Sequence, residues 1–220
     1  METDPREVAF FGRITAAFTH EMKNVLAIIK ESAGLMEDLL SLSQNADFPH
    51  KERFARALGT IAVQTQRGIA LSSRFNRFAH SPDEAVATVD LNEILEQIIY
   101  LSGRFARLKG VTLSLHPHAD ALPMITSPVA LQMAVFGCLE CCWGVMGAGS
   151  DISLSVGRRG PEVIITFACQ GSVDVAEELA DMISGFGGQS GLEKIMKSLN
   201  CRVEGGESRS NFQLIFPAAI

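Results

Sequence analysis

Three polar side chains within five residues carry the chemistry to be explained: His20, Glu21 and Asn24. An imidazole is a nucleophile near neutral pH and can hold a phosphoryl group as a labile phosphoramidate. Residues four apart on a helix share a face, so His20 and Asn24 point the same way, one turn apart. Glu21 offers a carboxylate that can take the proton of the non-attacking ring nitrogen and so favour the reactive tautomer. A zinc-protease reading of His20-Glu21 fails, because Asn24 stands where that motif needs its second histidine.

The elements that must position this box are two long helices. Residues 5 to about 44 read as one helix, with Pro5 in the first turn and Gly34 as the interior breaker. Its apolar stripe is Phe18, Met22, Val25, Ile29, Met36 and Leu39, and His20 falls off it. The polar run from Leu42 to Pro49 stops the helix. A second helix follows from about Lys51 to Ala79, with the stripe Phe54, Leu58, Ile61, Thr65, Gly68, Ser72 and Phe75. Long helices joined by a short turn pack antiparallel. One hairpin leaves apolar surface wet, so a four-helix bundle made by a homodimer is the expected completion. With the turn near Asp47, His20 lies level with about residue 74, which makes Arg74 and Arg77 its candidate neighbours.

Composition narrows the classes. The chain has 220 residues, 47% hydrophobic and 20% charged, with a net charge of −6. That suits one or two domains with a real core and argues against a non-specific nucleic-acid binder. No uninterrupted apolar run reaches membrane-spanning length, and Val8-Ala9-Phe10-Phe11 is too short for a signal-peptide core. The expectation is a soluble, cytoplasmic protein that engages neither membrane nor nucleic acid. An odd number of cysteines (Cys138, Cys141, Cys142, Cys169 and Cys201) points to reduced thiols. Cys138-x-x-Cys141-Cys142 lies in an apolar helical segment with no second Cys/His pair at finger spacing, so buried thiols are expected and no metal site.

His80-Ser81-Pro82-Asp83-Glu84 breaks the second helix and reads as a linker between residues 1–82 and 83–220. Beyond it, helices are expected over 91–108, 128–146, 175–184 and 191–199. Strands are expected over 111–116, 152–156, 163–168, 202–204 and 212–216. Asp90 caps the first of these helices, with Glu93 three residues on. Helices interleaved with hairpin strands give a two-layer α/β sandwich, so the chain is α+β overall.

His20-Glu21-x-x-Asn24 on a long helix resembles the phospho-acceptor box of two-component sensor histidine kinases, which dimerise through a helical hairpin and carry an ATP-binding domain behind it. The resemblance continues into the second half, where Val89-Asp90-Leu91-Asn92-Glu93-Ile94-Leu95 looks like the opening of the histidine kinase/gyrase/Hsp90-type domain. It implies that Glu21 orients the imidazole and that Asn24 orients a water for dephosphorylating a partner's aspartyl phosphate. It implies a response-regulator receiver as partner, docking around Lys23, Asn24, Ala27, Lys30 and Arg74 and bringing its own Mg²⁺.

The nucleotide-binding boxes of the family are altered. Glu140 occupies the place of the magnesium-binding asparagine, with Cys141, Cys142 and Trp143 after it, and the tryptophan is expected to crowd a nucleotide cleft. Cys169-Gln170-Gly171 stands where the family has its adenine-binding aspartate and first glycines, and a thiol is a poor acceptor. Gly187-Gly188 and Gly191-Leu192 resemble the phosphate loop and the helix it opens, but little chain separates Gly171 from Gly187 for a lid. The expectation is a kinase-derived histidine phosphotransferase, fed by a receiver or an upstream kinase, that needs no cofactor of its own. The rivals are an active, divergent kinase using ATP and Mg²⁺, and a scaffold that binds a regulator without phosphate chemistry.

Overall fold

The structure is a computed structural model that describes residues 4–41, 50–171, 191–205 and 210–217. The expected helix over 175–184, the turn over 42–49 and Gly187-Gly188 lie outside the described residues. Two compact units separate. One is Arg13–Ala79, and the other joins the start of the chain, up to Gly12, to everything from His80 on.

The first unit is a hairpin of α1 (Pro5–Ser41), from Arg13 onward, and α2 (Lys51–Ala79). Phe18 stacks on Phe75 at 4.0 Å with the rings 9° from parallel. Val25 Cγ1 lies 3.2 Å from where a Cβ on Gly68 would stand, so glycine lets the two helices approach closely. These contacts run in opposite directions along the two helices, which makes the pairing antiparallel and sets His20 level with about Ser73.

The seam on α2 differs from the sequence expectation. It follows Phe54, Ala57, Ile61, Gln64, Gly68, Leu71, Phe75 and Phe78, in alternating steps of three and four, while Thr65 and Ser72 are exposed and Leu58 is 48% exposed. The expected stripe mixed this seam with its neighbour, because both repeat with the same period and share apolar residues. The neighbouring stripe survives as a second apolar face. It runs through Leu58 and Ile69 on α2 and through Met22, Leu26, Ile29, Met36 and Leu40 on α1, with Leu26, Leu40 and Ile69 more than half exposed.

The second unit is an α/β sandwich. Five strands take the order β2 (Thr112–His116), β4 (Asp151–Arg159), β5 (Glu162–Gln170), β7 (Asn211–Phe216), β6 (Arg202–Gly205), parallel only between β2 and β4. The register puts Ile152 beside Cys169, Leu154 beside Phe167 and Val156 beside Ile165, and sets Phe167 against Phe212 and Ile165 against Leu214. All of these are buried, so one face of the sheet is a continuous apolar floor. Alternate residues, such as Ser153, Ser155 and Thr166, make a half-buried outer face.

Helices α3 (Leu91–Lys109), α4 (Pro128–Val145) and α5 (Gly191–Ser198) pack side by side, α3 on α4 and α4 on α5. Helix α4 is long and apolar enough to cross a membrane by composition, yet 72% of it is buried inside the fold; it is the core helix, apolar on most of its surface because most of it is covered. Gly137 on α4 permits this, since a Cβ there would come within 2.9 Å of Leu192 Cδ1.

A two-stranded antiparallel ribbon, β1 (Ala87–Asp90) with β3 (Pro123–Thr126), was not anticipated. Four-residue strands, one opening on proline, give too little alternation to read. The cap was legible: Asp90 accepts from the Asn92 amide at 3.0 Å and the Leu122 amide at 3.2 Å. Asn92 then fastens the following loop. Its Nδ2 donates to the carbonyls of His118 and Asp120, and its Oδ1 accepts from the His118 amide. Asn92→Ala removes all three bonds and is expected to cost about 2 kcal/mol in urea unfolding. A loss below about 0.5 kcal/mol would show that the loop is held by other contacts.

Candidate functional site

Helix geometry divides the α1 box between two faces. His20 and Asn24 are exposed, and Asn24 Nδ2 stands 3.3 Å from His20 Nδ1. Ala27 continues the same exposed face one turn on, flanked by the exposed Lys23 and Lys30. Glu21 turns the other way. Its side chain is only 13% exposed and accepts from Arg67 Nη2 of α2 at 2.7 Å. The carboxylate is therefore engaged at the helix seam by an arginine that register counting had not singled out. The signal for Arg67 was available: Glu21 lies three residues beyond Phe18 and four before Val25, the step pattern of the seam. Arg74 is half-buried and Arg77 exposed on α2.

The positions that the resemblance assigns to nucleotide binding lie in the second unit. Glu140 is half-buried on α4. Cys169, at the end of β5, is 1% exposed and hydrogen-bonds with Cys142 of α4, which is fully buried. The bond from Cys142 lowers the Cys169 thiol from its ordinary range, and that same bond, with burial, pushes Cys142 well up. Burial likewise raises Cys138, and raises Cys141 to about 11, so the cysteine run consists of protonated core thiols. Among the described residues no group of three or more His, Cys, Asp or Glu side chains is placed to hold a metal ion.

Gly171 has a local reason to be glycine: a Cβ there would fall 2.3 Å from Ser150 Oγ. Gly191 opens α5, and Gly187 lies outside the described residues. Trp143 corrects an expectation. It is 5% exposed, stacked at 6.3 Å on Phe105 of α3 and edge-on at 5.9 Å to Phe136, so its ring fills the space between α3 and α4. An open groove of about 620 Å³, lined by residues including Ile125, Ser127, Asn200 and Phe216, lies at the other end of β7 from its pairing with Ala168 beside Cys169.

No family model matches the sequence. No curated protein matches it either. The solved structures similar to it include histidine kinases. A nucleotide-free form of the catalytic domain of histidine kinase ThkA aligns at 14% identity with a TM-score of 0.50, over 62% of this chain and 100% of that one. Histidine kinase AdeS of Acinetobacter baumannii aligns at 11% identity and a TM-score of 0.49, over 90% and 97%. Histidine kinase ThkA in complex with response regulator protein TrrA aligns at 15% identity and a TM-score of 0.48, over 97% of this chain and 64% of that one. At these identities the likeness shows the fold: an α/β sandwich of the histidine kinase catalytic type.

Proposed function

We propose that this chain is a two-component phosphotransfer protein that exchanges phosphoryl groups between His20 and the aspartate of a response-regulator receiver, or removes them from that aspartate. The observation that carries the reading is the exposed imidazole of His20 with a carboxamide on its Nδ1, presented on a helical hairpin. Transfer from the receiver breaks the acyl-phosphate O–P bond, forms an N–P bond and releases one ring proton to water. The receiver docks along Lys23, Asn24, Ala27 and Lys30, with Arg74 on the facing helix, and supplies the Mg²⁺. Asn24 also orients a hydrolytic water in the reverse, dephosphorylating role.

The chain works as a homodimer in the cytoplasm. The second apolar face, with Leu26, Leu40 and Ile69 largely exposed, is what a four-helix bundle would bury. It does not rely on its own ATP site: the adenine-acceptor position is Cys169, buried against Cys142, and the magnesium-ligand position is Glu140.

Receivers phosphorylated with radiolabelled acetyl phosphate test this directly. Label is expected to appear on the chain with the acid lability and alkali stability of phosphohistidine. If labelled ATP with Mg²⁺ modifies His20 in the chain alone, the protein is instead an active, divergent kinase. If phosphorylated receivers bind and never transfer label, it is a scaffold.

A further inference from the structure

The chain crosses between its two units twice, once inside α1 and once after Ala79. The first crossing is unbroken helix, from Pro5 to Ser41. The second is the turn His80-Ser81-Pro82-Asp83, so any give in the connection belongs there. This stretch reads in the sequence as a polar linker, but its structure is fastened on two sides. The Asp83 amide donates to the His80 carbonyl at 3.2 Å. On the outer side, His80 Nδ1 stands 2.8 Å from Asp83 Oδ2, with both side chains about two-thirds exposed. On the inner side, Ser81 is buried and turns its hydroxyl into the α/β unit. Its Oγ donates to Oε1 of Gln132 on α4 at 3.2 Å, and Gln132 Nε2 donates to Oε1 of Gln97 on α3 at 3.3 Å. Gln132 is fully buried on a helix whose other buried residues are all apolar. A carboxamide so placed is costly unless paired, and an apolar side chain would fill the same space without that demand. What the carboxamide adds is a directional bond to the turn, one that breaks and re-forms without repacking the core.

We propose that Ser81 is a latch. With its hydroxyl on Gln132 the turn is fixed to the α/β unit; with the hydroxyl withdrawn the turn is released while α3 and α4 stay folded. The bond to Gln97 holds the receiving carboxamide in place while the latch is open, and water takes the place of Ser81 on Gln132 Oε1. The two states differ by few contacts, so the open one is populated at roughly 0.1 to 10%. The connection between the units is stiff in the closed state and slack in the open one. The inference stands apart from the phosphotransfer reading.

The test follows amide hydrogen exchange of the full chain, residue by residue, and needs no receiver, ATP or phosphoryl donor. In the wild type the Asp83 amide is expected to exchange through a local opening that low urea hardly changes. Interior amides of α4, such as that of Leu139, are expected to exchange only on global unfolding and to speed up steeply with urea. Ser81→Ala is expected to speed exchange at Asp83 about tenfold, the worth of one buried hydrogen bond. His80→Ala, which removes the outer contact, is expected to change it less than about twofold, because exposed pairs contribute little. Digestion with a glutamate-specific protease reads the same opening, and cleavage after the exposed Glu84 is expected to rise in the same order. Equal urea dependence at Asp83 and Leu139 would overturn the inference, since the turn would then open only with the core. So would a Ser81→Ala chain that exchanges at Asp83 like the wild type, or a His80→Ala chain that matches or exceeds Ser81→Ala. In the last case the turn is held from its outer side.

Discussion

His20→Ala is expected to reduce phosphoryl transfer from a phosphorylated receiver to background, a loss on the order of a thousandfold or more, with the fold intact. The size follows from the chemistry. The nucleophile is removed outright, and no neighbour can replace it: Asn24 is a carboxamide, and Glu21 is held by Arg67 at the seam. The intact fold follows from exposure. His20 lies on the wet face of α1, alanine is the better helix former, and surface changes of this kind stay within about 0.5 kcal/mol. Transfer assays and thermal unfolding of the same samples check both halves. Retained labelling in a folded His20→Ala chain would move the acceptor elsewhere and end the present reading. Lost labelling together with lost helicity would show that the ring is structural.

Much of this was legible in the sequence because it rests on local rules. The helix starts at Pro5 and Leu91 and the cap at Asp90 are set by residues close in sequence. The off-stripe position of His20 follows from counting by 3.6. What was missed depends on partners far along the chain. The expected α2 stripe took Leu58, Thr65 and Ser72 where the seam has Ala57, Gln64 and Leu71, because two apolar stripes with the same period run side by side and only packing shows which one meets α1. Glu21 read as the carboxylate that takes the imidazole's proton, and its contact with Arg67 went unread because that arginine lies 46 residues away. Trp143 read as an obstacle to nucleotide because Phe105, its stacking partner, sits on another helix. The β1–β3 ribbon joins segments more than thirty residues apart, so neither strand carried a signal alone.

The other large effect expected is at Cys169. Restoring the aspartate that the resemblance would place there, Cys169→Asp, is expected to destabilise the chain by about 3 kcal/mol or more at neutral pH and not to create an ATP site. Cys169 is 1% exposed on the apolar floor beneath α4, across from Ile152 and hydrogen-bonded to the buried Cys142. A thiol suits that place because it is small, apolar and a weak hydrogen-bonding group. A carboxylate there loses its water, and a thiol donor compensates poorly. The sign of the pH dependence follows. Burial raises the carboxyl's folded-state value above its unfolded one, so the folded variant binds the proton more tightly. The deficit is therefore smallest below the unfolded aspartate value of about 3.9 and grows as pH rises from there to the folded value. Urea unfolding of both chains across that range, with Mg²⁺-ATP titrated by calorimetry, reads both consequences. A variant as stable as the wild type at neutral pH that gains submillimolar ATP affinity would mean that the site stays open to solvent and needs only its acceptor. The divergent-kinase reading would then be the stronger one. A destabilised variant blind to ATP would mean that the core is closed at the position where the resemblance would place an adenine acceptor, in keeping with the proposed role of the imidazole on α1.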